Sequence, residues 1–271
     1  MSESAALTAR VIPPPLLGAG GATKMLERNF LVYRRIWVIV FSGFFEPIFY
    51  LFSIGVGLGE LVGDVAGPSG EPVKYAAFVA PALLGASAMN GAIFESTVNI
   101  FFKLRYGKVY DAILATPMLP RHIVVGEISW SLGRGVLYAS AFLVVITAFG
   151  YVHSAWAVMA VPAAVLIGFA FGAVGMAAST FMKSWQDLDL VNMVTLPLFL
   201  FSGTFYPLDV YPDIFQVLAK ISPLYHGVEL IRALTLGAFD LSLVGHIGFL
   251  VGMGAIGVAI TSRRLDKLLL A

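Results

Sequence analysis

"VYDAILATPMLPRHIVVGE", residues 109–127, decides how the chain is read. It is a polar-edged stretch closed by prolines and set between two long apolar runs, Ala76 to Phe102 and Ile123 to Tyr151. A helix rises about 1.5 Å per residue, and crossing a bilayer takes about 20 mostly apolar residues, so both runs read as membrane spans and 109–122 belongs to the loop between them. Within it, Val109, Ala112 and Ile113 recur at i, i+3, i+4, while Pro117 disfavours helical geometry at Thr116. The expectation is a two-turn helix projecting from one membrane face and held at both ends by spans. A loop that only reverses the chain needs no apolar ridge, Ile113 and Leu114, beside an acid, Asp111, and an aromatic, Tyr110. Such a ridge either fits a partner's pocket or packs back onto its own bundle.

The rest of the chain has the same character. Hydrophobic residues make up 59% and charged residues 12% of the 271, and the mean hydropathy is +0.88, far from the make-up of a water-soluble domain. Further runs of spanning length are Ile36 to Leu58, Trp156 to Met182, Leu188 to Phe205 and Leu243 to Ile260, giving six in an all-α bundle. Thirteen of the 17 Lys and Arg fall before the first span, in 103–121, at Lys183 and after the sixth span. Basic residues resist translocation, so both termini and residues 109–117 are expected in the cytoplasm of a multi-pass protein of the cell membrane. The outer loops hold Lys74, Lys220 and Arg232 among more numerous acids.

One domain is the economical reading, with no internal repeat. Residues 1–20, with Pro13, Pro14 and Pro15, read as a flexible lead-in too broken for a signal peptide. Residues 21–35 read as a helix on the membrane surface, with Leu26, Phe30, Tyr33 and Trp37 on one face and Lys24, Arg28 and Arg35 on another; a plain extension of the first span is the alternative. Residues 36–260 hold the bundle, and 261–271 form a cytoplasmic tail. Between spans five and six, Ile214, Val217, Leu218 and Ile221 share one helical face, Pro223 stops that helix, and Val228, Ile231 and Leu234 begin another. Two short re-entrant outer helices are expected, packed on the bundle so that their backbone is satisfied.

Several functions are excluded by what is missing. Gly107-Lys108 lacks the rest of a phosphate loop, and neither a zinc-protease helix nor a nucleophile elbow occurs. The four histidines are scattered, cysteine is absent, and no basic aromatic surface suits nucleic acid. The intramembrane charges Glu46, Glu95, Glu127 and Arg134 each cost a few kcal/mol unless they face protein or water. Glu127 and Arg134 lie two turns apart, about 10 Å, so Arg134 is expected to meet Glu46 or Glu95 in a structural ion pair, with a substrate or proton role as the rival. Gly168 with Gly172 and Gly248 with Gly252 have the spacing of close helix contacts. Phe199, Phe201, Phe205 and Tyr206 read as packing or interfacial belt, or else as lining for an amphipathic cargo.

"VYDAILATPMLPRHIVVGEISW" resembles a motif of type-2 ATP-binding-cassette exporter permeases: an acid, one residue, Ile or Leu, Leu, one residue, Thr-Pro, then an Ile-Val-Leu-Gly run followed by Glu or Lys. "LPLFLFSGTFYPLDVYPDIFQVLAKISPLYHGVELIRALTLG" resembles the same family's Ser-Gly-x-x-aromatic-Pro signature and its later Ser-Pro-Leu run ending in Arg. The resemblance covers nearly the whole chain and is nearest to the nodulation-factor, lipooligosaccharide-exporting branch, with daunorubicin-resistance-type drug exporters next. It implies a coupling helix at Tyr110, Asp111, Ala112, Ile113, Leu114, Ala115, Thr116 and Pro117, seated in a cleft of a separate nucleotide-binding ATPase subunit. ATP and Mg would be bound there, with no cofactor on this chain. It further implies a second permease subunit, identical or closely homologous. An outer gate or substrate path would run along Phe199, Ser202, Gly203, Phe205, Tyr206, Pro207 and Arg232.

The function expected is that of the non-catalytic permease subunit of an ATP-driven exporter, moving an amphipathic lipid-linked saccharide or a hydrophobic drug. The rival is an ion-driven secondary transporter or channel with Glu46, Glu95 and Arg134 as a relay, which an inverted repeat would favour. A lipid enzyme would need a cluster of acids, His or Ser at one membrane face, and none is seen.

Overall fold

The structure, a computed structural model, describes residues 20–35, 45–68 and 70–269. The expected lead-in up to residue 19, the start of the first span and the side chain of Glu46 lie outside the described residues.

Helix α1 (Gly20–Arg35) precedes α2, a composite of Phe45–Tyr50, a π-helical stretch Leu51–Gly57 and a last turn Gly59–Val62. A small hairpin follows, with β1 (Asp64–Ala66) antiparallel to β2 (Pro72–Lys74) and Val65 opposite Val73. The long helix α3 comprises Tyr75–Phe94, a π-helical segment Glu95–Asn99, and Ile100–Arg105. Next come α4 (Val109–Leu114), α5 (Pro120–Ala148), and α6 (Ala160–Ser179), the last opened by a 3-10 turn at Ala155–Met159. The remainder is α7 (Asp187–Phe201), α8 (Asp213–Ile221), α9 (Pro223–Leu236) and α10 (Ser242–Leu269).

Among the described residues four helices are long and apolar enough to cross a membrane: Tyr75–Arg105, Pro120–Ala148, Ala155–Ser179 and Ser242–Leu268. The apolar run Pro47–Val62 is shorter. Helix α7 has 15 residues, about 22 Å of rise against a hydrocarbon layer of about 30 Å. The span expected to reach Phe205 stops at Phe201, because Gly203 takes a positive φ of 69° and turns the chain. The last helix does not give way to a separate tail. It continues to Leu269, with Leu265 buried and Arg264 donating to the carbonyl of Thr180.

The main core lies where α3 and α6, both rich in alanine, meet α9 and α10. Small side chains let these backbones approach: Gly168 and Gly172 are buried and both face Ala92 of α3, whereas the second expected pair makes no such contact. A Cβ on Gly248 or Gly252 would meet nothing within 4 Å, whereas one on Gly257 would strike the backbone of Ala173 at 2.7 Å. The tight face of α10 is thus one turn further along and rotated away from the predicted one. A second, smaller core gathers Met25, Ile100, Tyr110, Ile123, Val124, Met176 and Leu265 at one end of the bundle. The loop and helix-end cations Lys103, Arg105, Lys108, Arg121, Lys183, Arg263 and Arg264 collect around that end, where Arg105 donates to the carbonyl of Met182.

Of the two short helices after α7, α9 is embedded, with Leu224, Val228 and Ile231 fully buried. Helix α8 is different. Its shared face of Ile214, Val217, Leu218 and Ile221 is exposed, and only Ala219 is buried.

Candidate functional site

Helix α4 begins after Lys108, a non-glycine residue in the left-handed region at φ 45°. It ends before Pro117, as the restriction on the residue preceding proline requires. Pro120 then opens α5 at its first turn, where a missing N–H costs nothing, and His122 Nδ1 accepts from the backbone of Leu119. The two helices therefore meet at a fixed corner. Tyr110 is fully buried, while Ile113 and Leu114 are half-buried against the small core. The expected ridge thus packs largely on its own bundle. What faces outward is Asp111, Ala112, Ala115, Thr116 and Pro117, a small and mildly acidic cap amid the cations of that end.

The intramembrane charges form two networks. Glu127 is buried in α5 and accepts from Lys103 Nζ at 2.8 Å, Asn29 Nδ2 at 3.1 Å and the hydroxyl of Tyr110 at 3.2 Å. Arg28 donates to Asn29 Oδ1 at 3.0 Å, which turns the amide's N–H groups toward Glu127. Burial and the adjacent carboxylate push the Tyr110 hydroxyl well above its ordinary pKa, so it remains a donor.

One turn along α3 from Asn99, Glu95 pairs with Arg134 of α5 and accepts from the Tyr33 hydroxyl at 2.9 Å and from Asn99. The Arg134 guanidinium lies 4.8 Å from the centre of the Tyr33 ring and donates to Tyr138. Arg134 therefore meets Glu95, one of its two expected partners. Asn29 and Tyr33 lie one turn apart on α1, each bonded to one buried carboxylate. The α1 face that meets the bundle is Gly21, Met25 and Asn29, whereas Phe30 is exposed.

At the opposite end, Arg232 is buried in α9. Its guanidinium donates to the Gly203 carbonyl at 2.7 Å, pairs with Glu229, and lies 3.9 Å from the centre of the Phe78 ring. Ser202 is buried and shares a hydrogen bond with Ser222. Phe199 and Phe205 pack edge to face in the core, while Tyr206 is half exposed and Pro207 partly so. The turn after α7 is thus clamped from α9. Below it, a cavity of about 820 Å³ separates α7 from α3, α6 and α10. Its walls are mostly apolar, including Phe171, Val174, Val191 and Leu198, with Thr97 and Thr195 among them, and its charged residues Lys183 and Asp187 lie toward the basic end.

Several helices long and apolar enough to cross a membrane, buried charges and a short helix at the basic end describe a multi-pass membrane protein. The family model for the ABC-2 type transporter matches residues 23–236. The chain belongs to the ABC-2 type transporter family. Among relatives of this ABC-2 permease, Nodulation protein J of Rhizobium leguminosarum bv. viciae is 31% identical over 259 residues, covering 93% of this chain and 98% of the relative. Nodulation protein J of R. leguminosarum bv. trifolii is 32% identical over 226 residues, covering 83% and 84%. Inner membrane transport permease YadH of Escherichia coli (strain K12) is 28% identical over 224 residues, covering 81% and 84%. The permease is a multi-pass membrane protein and a transport subunit of its family.

Sequence reasoning missed Asn29, Tyr33, Asn99 and Lys103 as members of the charge networks. Their signal was available in part: Met25, Asn29 and Tyr33 repeat every four residues, a second stripe beside the apolar one.

Proposed function

We propose that this chain is the membrane-spanning half of an ATP-driven exporter whose ATP and Mg sites reside in a separate nucleotide-binding subunit. The observation that carries the reading is the outward cap of α4, set at the basic end of a chain that matches the ABC-2 family through this region. A short helix fixed at Tyr110 and free on its Asp111, Ala112, Ala115 and Thr116 side suits a partner's cleft. Helix α2, and α7 despite its length, bring the four long helices to six spans. The basic end faces the cytoplasm with both termini, and two copies pair around the export path. The 21–35 helix, the bundle and the last helix act as one permease domain.

The cargo is an amphipathic lipid-linked saccharide or a hydrophobic drug. The cavity beside α7 supports this choice, because its volume is that of a small-molecule site and its charged groups stand at one end. The pairing of Glu95 with Arg134 weighs against an ion relay, since each charge already satisfies the other.

The test is substitution on the outward cap, with Ala112→Arg as the first variant, in a strain that also expresses the ATPase subunit. Export is expected to be lost while membrane insertion is retained. Unchanged export, or cargo flux that persists after ATP is exhausted, would overturn the reading.

A further inference from the structure

We propose that Glu127 is a positioning residue that carries the displacement of α4 to both α1 and the end of α3. This rests on the coupling role proposed for α4. Glu127 stands two turns into α5, and its carboxylate receives hydrogen bonds from three other helices: Asn29 on α1, Lys103 on α3 and Tyr110 on α4. Four hydrogen bonds fill the four lone-pair positions of a carboxylate. A charge needing only neutralisation would be served by Lys103 alone. Here the other two donors come from the helix at the membrane surface and from the short helix that meets the partner.

Helix α4 has six residues, and Tyr110 is its only fully buried side chain. A helix that short has little stability of its own, so its position is set by its anchors. Among the described residues the Tyr110 hydroxyl is the one polar side-chain contact from the α4 interior to the bundle, and it ends on the atom that Lys103 also binds, Oε1. Oε2 of the same group holds Asn29. When α4 shifts, the carboxylate either moves with Tyr110, drawing Lys103 and Asn29 along, or loses a buried charge-assisted bond. Close packing makes the first course the favoured one: Gly126, the residue before Glu127, has no room for a Cβ against Met25 of α1. Helix α1 thus travels with α4 and does not drift on the membrane surface.

The chain has no cysteine, so introduced cysteines carry spin labels uniquely. Labels at Lys24 on α1 and Lys108 before α4, each paired with one at Val158 before α6, occupy exposed positions. Distances are measured in the complex with its ATPase subunit in nanodiscs, before and after ATP with vanadate. In the parent chain both distances are expected to change together. In Tyr110→Phe, which keeps the ring and removes one hydroxyl, and in Glu127→Gln, the population in which the Lys24 distance follows is expected to fall about tenfold, the worth of one charge-assisted hydrogen bond. The double exchange Glu127→Lys with Lys103→Glu is expected to restore part of it. If the Lys108 distance does not respond to ATP in the parent chain, the coupling role of α4 is overturned. If it responds while Lys24 stays fixed, or if Tyr110→Phe moves like the parent, the role of Glu127 is overturned and α4 keeps its own.

Discussion

Arg134→Met should destabilise the protein more than any conservative change on the same helix, and the size of the effect follows from the surroundings of Glu95. The Glu95 side chain is 7% exposed and that of Arg134 18%. Removing the cation leaves a buried carboxylate with only Tyr33 and Asn99 as donors. Breaking one side of such a pair costs about 3–5 kcal/mol, whereas removing both charges together is nearly neutral. Loss of the cation over the Tyr33 ring adds about 0.5–1 kcal/mol. The single variants Arg134→Met and Glu95→Gln should therefore each lose about 3 kcal/mol or more, while the double variant lies within about 1–2 kcal/mol of the parent. The assay is reversible unfolding in mixed micelles, run as a double-mutant cycle beside an export assay. Singles as mild as the double would refute the buried-pair reasoning. A double variant that is stable yet exports nothing would assign the pair to transport and not to structure.

Other perturbations separate the two ends of the molecule. Gly126→Ala places a Cβ 2.3 Å from Met25 Cβ and should cost about 1–3 kcal/mol by overpacking, with α1 becoming more susceptible to protease. Arg232→Met frees the Gly203 carbonyl and unpairs Glu229, and should lower stability by about 3 kcal/mol and open the 202–207 turn to proteolysis. His226 and His246 face each other Nδ1 to Nδ1 at 2.7 Å, close to Glu229, Asp240, Arg232 and Tyr225, so one proton serves the pair. Burial, and then His246, hold the His226 pKa below its ordinary 6.5. The folded state thus binds fewer protons than the unfolded one, so the α9–α10 contact is at full strength above pH 6.5 and weakens as pH falls through the lower folded value. Thermal unfolding followed across that range should show the loss, and His226→Phe should flatten it.

Length and hydropathy made four helices readable before any coordinates, because spanning a bilayer demands about 20 apolar residues whatever surrounds them. The two runs that fell short did so for local reasons. Gly203 turns the chain early after α7, and the first run begins outside the described residues. The pairing of Arg134 was readable as a need, since a lone charge in the bilayer is costly, but that Glu95 answers it depended on how α3 and α5 lie. The residues around the turn after α7 showed the same division. Ser202, Gly203 and Arg232 were named from their motif, while the bond from Arg232 to the Gly203 carbonyl, 29 residues away, had no trace in the pattern.

The face of α4 was the hardest to read, for a physical reason. Over two turns an apolar stripe looks the same whether it packs inward or waits for a partner, so Ile113 and Leu114 fitted both readings. What decides between them is Tyr110, whose hydroxyl is held by a buried acid 17 positions later. A tyrosine on an exposed ridge needs no carboxylate behind it; a buried one must find an acceptor. The glutamate following Ile-Val-Val-Gly is that acceptor, so the two halves of the motif at 109–127 are joined by a hydrogen bond. Their spacing reflects the corner at Pro117 and Pro120, which folds α4 back beside α5. Substitution of either proline should then disturb Glu127 as much as it disturbs α4, a link that helix periodicity by itself would never reveal.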